Sequence, residues 1–166
     1  MGRLIARLAV VAAFQLFAGA VLAGVSFGDW TLRGAVLPDG EPACVAEVAA
    51  GGQKLSVWAM ASAPMTLQFY AAGRRHDPKA GPLILRIVPE GAWRLVGASV
   101  MGPSIVVPLS PGGNGRALLD ALSRGQEARL LTKSGDSLGA WPLSGSARAL
   151  AALSACRAGL EEGTAN

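Results

Sequence analysis

Histidine and cysteine are nearly missing from this chain: His76 is its one imidazole, and Cys44 and Cys156 are its two thiols in 166 residues. A zinc centre or a Cys-x-x-Cys redox motif needs such ligands in close spacing, so neither has a basis here. Charge is scarce as well, at 16% Asp, Glu, Lys and Arg, against about 25% in typical domains. The formal net charge is +4, but Arg3 and Arg7 fall in the first 23 residues and leave only +2 for the rest. That is too little for a nucleic-acid partner, which takes many phosphate contacts to hold. Carboxylates are scattered singly, without the spacing of an acid/base pair or a calcium loop, so no cofactor or metal is expected. Beyond residue 23 no apolar run approaches the roughly 20 residues of a membrane-spanning helix.

What is present begins with a secretory pattern. Arg3 and Arg7 make a basic start, and residues 8–22 are apolar apart from Gln15. Small residues at 21–23 or 18–20 then supply a cleavage site. The reading is a signal peptide over 1–23, a single domain over 24–160 and a disordered polar tail over 161–166, with export to the periplasm. The two cysteines suit an oxidising compartment. A Cys44–Cys156 bridge would close a loop of about 110 residues, for which chain entropy suggests roughly 4–5 kcal/mol. Two separate buried thiols are the alternative.

The domain reads as short strands punctuated by Gly and Pro. Nine candidates fall at 27–33, 44–49, 55–61, 66–71, 83–88, 92–96, 104–109, 129–133 and 140–143. Several alternate with period two, such as Leu83, Leu85 and Ile87 against Arg86, and Trp93 and Leu95 against Arg94. Gly51-Gly52 and Glu90-Gly91 mark hairpin turns, and Pro108 and Pro142 mark edges or bulges. One short helix is expected over 117–122, capped by Asn114 and ended by Gly125. A second follows Ser144 or Ser146, either of which can cap it. Its apolar stripe of Ala149, Leu150, Leu153, Cys156 and Leu160 turns Cys156 inward, and Gly159 is placed to end it. The expected fold is mainly β, an antiparallel sandwich of eight to nine short strands with one short helix and a C-terminal helix packed on it.

Four features invite a functional reading. Gly135-Asp136-Ser137-Leu138-Gly139 matches a nucleophile-elbow pattern, but it lies between two strands and the only histidine precedes it. A turn is the favoured reading, and Ser137 as a hydrolase nucleophile is a remote alternative. Arg74, Arg75, His76 and Lys79 form the one concentrated cationic loop, a possible contact for an acidic partner or a lipid headgroup. Trp30, Trp58, Trp93 and Trp141 each fall within an apolar strand, which suggests core packing with the indole N–H satisfied rather than a stacking face. Gly-rich 111–115 lacks the Lys of a phosphate loop and reads as a flexible connection.

The order helix, Gly125, strand, turn, strand, then Leu143-Ser144-Gly145-Ser146 opening the last helix resembles the invasion-associated locus B family over about residues 114–153. Phe27-Gly28-Asp29-Trp30 followed by a cysteine is a weaker echo. The chain departs from that pattern at Ser146, where the family has an aromatic residue. The resemblance implies an exported β-sandwich of Gram-negative bacteria without catalytic residues, linked in some members to host interaction. The resulting expectation is a non-enzymatic periplasmic or envelope protein that binds a protein or envelope component, through an edge strand or the 74–79 loop. A carrier with an apolar cleft between its sheets is the alternative.

Overall fold

The computed structural model describes residues 24–74, 76 and 81–164. The expected signal peptide therefore lies outside the described residues, as do Arg75, Lys79 and the last two residues. The expected sandwich is present, with eleven strands among the described residues rather than eight or nine. In chain order these are β1 (Val25–Phe27), β2 (Trp30–Val36), β3 (Pro42–Ala50), β4 (Gln53–Met60), β5 (Thr66–Ala71), β6 (Leu83–Val88), β7 (Gly91–Leu95), β8 (Ser99–Met101) and β9 (Ser104–Pro108). Helix α1 (Gly113–Arg124) follows, then β10 (Glu127–Leu131), β11 (Ser137–Pro142) and helix α2 (Ser146–Thr164). A seven-stranded sheet runs β1-β2-β3-β4-β5-β9-β8, and a four-stranded sheet runs β11-β10-β6-β7.

Register lines up the alternating apolar residues. On the large sheet, Trp30, Val48, Leu55, Phe69 and Ile105 are successive cross-strand partners over five strands. On the small sheet, Gly139, Leu130, Leu85 and Trp93 form the matching row. The two rows face each other, with Phe69 and Trp141 ring centroids 5.6 Å apart and tilted by 43°. Full burial of a Leu, Ile or Phe contributes about 1.5–3 kcal/mol, so these rows dominate the stability of the sandwich.

The sheets are stitched at the β11 edge. The Leu138 carbonyl accepts from Gln53 Nε2 at 3.0 Å and from Arg74 Nη1 at 2.9 Å. The Pro142 carbonyl accepts from Trp30 Nε1 at 3.3 Å. Side chains of the large sheet thereby occupy an edge that would otherwise be open to another strand. Pro142 stands on this edge strand as expected, whereas Pro108 closes the end of β9, which pairs with β5 and β8.

The differences from expectation are local. The first candidate strand breaks at Gly28, whose φ of +62° makes a turn between β1 and β2. The three-residue strands β1 and β8 offer too short an alternation to read. Helix α1 starts at Gly113, with Gly112 as N-cap and no side-chain cap, so Asn114 lies inside the first turn. Gly115, expected in a flexible loop, is buried there against the Ser110 carbonyl, where any Cβ would collide. Neither serine caps α2 as expected. Ser146 opens the helix, and its hydroxyl donates to the Leu122 carbonyl of α1 at 2.8 Å. Helix α2 also passes through Gly159 to Thr164, supported by an Arg157–Glu161 pair one turn apart.

Helix α2 lies on β2, β3 and β4, with Ala149, Leu150 and Leu153 buried beneath it. Cys156 forms the disulfide with Cys44 of β3, at a Cα separation of 6.2 Å. No helix among the described residues is long and apolar enough to cross a membrane.

Candidate functional site: a groove between the helices

The chain turns two connections and two helix faces toward one groove of about 820 Å³. One wall is the β4–β5 connection, Ala61 to Met65, and another is the Leu109–Pro111 run that enters α1. Helix α1 contributes Arg116, Leu119 and Asp120, while α2 contributes Ala147, Ala151 and Ser154 at intervals of four and three. That spacing follows from one face of an α-helix. Because residues 147 and 151 are alanines, the helix surface recedes there and leaves room.

The floor is apolar: Leu109, Leu150 and Leu153 are buried, and Met65 and Leu119 are half-buried. The connections are held by backbone bonds, Leu109 N–H to the Met65 carbonyl at 2.8 Å among them. The Ser62 hydroxyl is held by the Glu41 carboxylate. Arg157 is engaged by Glu161 and by the Ala63 carbonyl at 3.4 Å. The Arg116 guanidinium stands on the α1 wall with no ion pair or side-chain hydrogen bond among the described residues. The groove thus offers aliphatic contact over its floor and a guanidinium at its side. Its volume falls within the roughly 300–1,000 Å³ of ligand pockets.

The residues singled out from the sequence lie elsewhere. Arg74 is exposed and reaches the Leu138 backbone, and His76 is half-buried with an unpaired Nε2. This brings Arg74 beside the neighbour of Ser137, but no hydrogen bond joins the Ser137 hydroxyl to His76 among the described residues. Ser137 opens β11 from a hairpin and is exposed. The strand-to-helix turn that a nucleophile elbow requires is absent at this position. Among the described residues no group of three metal-ligating side chains comes together.

The turn before Ser137 has its own electrostatics. The Asp136 carboxylate accepts from the Ser134 hydroxyl at 2.6 Å and from Thr132 at 3.2 Å. These bonds, Ser134 first, hold its carboxyl below the usual carboxylate range. A depressed folded pKa stabilises the turn above the unfolded value, and that support is lost as pH falls through the folded one. An NMR titration is expected to place the Asp136 midpoint below ordinary aspartates, and Ser134→Ala to raise it.

The four tryptophans divide. Trp30 and Trp141 are core residues, at 0% and 2% exposure. Trp93 is half-buried but packs against the core, whereas Trp58 does not, so the expectation of four core indoles is corrected at Trp58. Trp58 faces outward, donating to Gln68 Oε1 at 2.8 Å under the Arg33 guanidinium. The Trp141 indole N–H is buried without a partner, contrary to the expected satisfied donor.

The groove escaped sequence reading because its walls come from four separated segments. The alanines at 147 and 151 were legible only as helix formers. Comparison with family models, curated proteins and solved structures returns no match.

Proposed function

We propose that this chain is a non-enzymatic protein of the periplasm or envelope that binds an amphiphilic envelope component, an aliphatic chain with an anionic head, in the groove between α1 and α2. The groove is the observation that carries this reading. Its floor of Leu109, Leu119, Leu150 and Leu153 suits an alkyl chain, and the Arg116 guanidinium on the wall has no partner among the described residues. Export is supported by the basic and apolar pattern of residues 1–23 and by a disulfide that fits an oxidising compartment.

The test is titration with a dansyl-labelled undecanoate probe. Wild-type protein is expected to bind it with enhanced fluorescence. Ala151→Trp fills the groove from an exposed helix position and is expected to lower affinity at least tenfold while leaving thermal stability within a few degrees. Arg116→Gln is expected to weaken the acid but not the corresponding alcohol. A wild type that binds no probe, or an Ala151→Trp protein that binds as well, overturns the proposal.

A further inference from the structure

The outward face of the small sheet carries an arrangement that the strand pattern alone does not reveal. Arg86 of β6 and Arg129 of β10 are direct cross-strand partners, and both are exposed. Arg94 of β7 projects to the same side one pleat further along, opposite Ile84. Like charges directly opposite one another destabilise a sheet, so this face keeps a juxtaposition that folding alone does not favour. Arg129 is paired with Glu127 along its own strand. Arg86 and Arg94 have no ion pair among the described residues.

Beyond Leu131, which shares a row with Ile84 and Arg94, Lys133 in the β10–β11 turn is a further exposed cation. The carboxylates nearby are already engaged: Glu127 by Arg129, Asp136 by the Ser134 hydroxyl, and Glu90 in the β6–β7 turn by Arg124 at 2.9 Å. Apolar side chains stand between the cations. Val88 is 41% exposed, and Ile84 and Leu131 are half-buried on the same face. Among the described residues neither helix packs on this side, since α2 lies on β1 to β4 of the other sheet and α1 packs on α2.

We infer that this face is a docking surface for an anionic lipid bilayer. An open sheet face presents cations in rows, with strands about 4.8 Å apart, which spreads the charge over an area rather than converging it on a single phosphate. Cations interleaved with exposed aliphatic groups match the headgroup layer of an anionic membrane, in charge and in shallow apolar contact. The face is separate from the groove, and the inference stands independently of what the groove binds.

The experiment is flotation of protein purified from expressing cells, its N-terminus defined by intact mass, with phosphatidylglycerol vesicles and with phosphatidylcholine vesicles. Binding is expected only to the anionic vesicles and is expected to vanish near 0.5 M salt, where surface charges are screened. Arg86→Gln with Arg94→Gln is expected to lower the partition constant about tenfold or more. The pair Lys54→Gln and Arg148→Gln removes the same charge from exposed positions outside both surfaces and is expected to leave it unchanged. Equal binding to both vesicle types, no binding to either, or equal losses in the two double variants overturns the inference. Ala151→Trp is expected to keep vesicle binding, which separates a failure here from a failure of the groove proposal.

Discussion

Replacing Cys44 and Cys156 together by alanine is expected to lower the unfolding free energy by about 4–5 kcal/mol, the chain-entropy value for a loop of this length. The bridge joins positions 112 residues apart and no cysteine is left unpaired. In thermal unfolding the loss corresponds to roughly 10–20 °C for a domain of this size. Its location sharpens the expectation. Cys44 lies on the inner face of β3, so the bond clamps α2 to the centre of the large sheet. Helix α2 forms one wall of the groove, so reduced protein should lose probe binding before the sandwich itself melts. Calorimetry with and without reductant, beside the double alanine variant, measures this. A fall of only a few degrees would mean that Ala149 and Leu153 suffice to dock the helix.

The second large effect is expected at a glycine. Gly145 has φ +91°, and a Cβ there would collide with the Phe27 carbonyl. Gly28, on the facing turn, has φ +62°, and a Cβ there would lie 2.8 Å from the Ser144 carbonyl oxygen, a milder overlap. Between them Asp29 N–H donates to the Ser144 carbonyl at 3.1 Å. Gly145→Ala therefore incurs the left-handed backbone penalty and displaces the β1–β2 turn, losing that hydrogen bond. The total is expected to be at least about 2–3 kcal/mol. Gly135→Ala is the control, because Gly135 has φ +93° with open space around it. It should cost only the backbone penalty of about 1–2 kcal/mol. Denaturant unfolding compares the two, and equal losses would show that the contact at Phe27 is not tight.

Much of the architecture was legible in neighbouring residues. Alternation in 83–88 and 92–95 marked β6 and β7 and identified their buried sides. Gly51-Gly52 announced the β3–β4 hairpin, and both residues do have positive φ, +55° and +76°. The stripe through Ala149 and Leu153 oriented α2 and turned Cys156 toward the sheet, which left Cys44 as its partner. Each of these signals is local: a period, a steric allowance or a helical repeat written within a few residues.

Ser146 shows where local reading stops. Its hydroxyl could have capped α2, but the nearby end of α1 presents the Leu122 carbonyl, and that tertiary partner takes it. Helix α2 continues through Gly159 despite a residue suited to ending it, because the helix already rests on the sheet and Arg157 pairs with Glu161. A buried face outweighs the roughly 1 kcal/mol that glycine costs a helix.

The sequence alone determined which residues face inward, where the chain turns and which two thiols could meet. Only the tertiary structure decided that a groove opens between the helices and that Arg86 stands beside Arg129. Side-chain alternation follows from backbone geometry that each strand carries in itself. The choice of neighbouring strand does not, because β6 and β10 are joined only when the whole core closes over them. Burial selects that pairing through their apolar faces, and the charges on the opposite faces are brought together as a consequence.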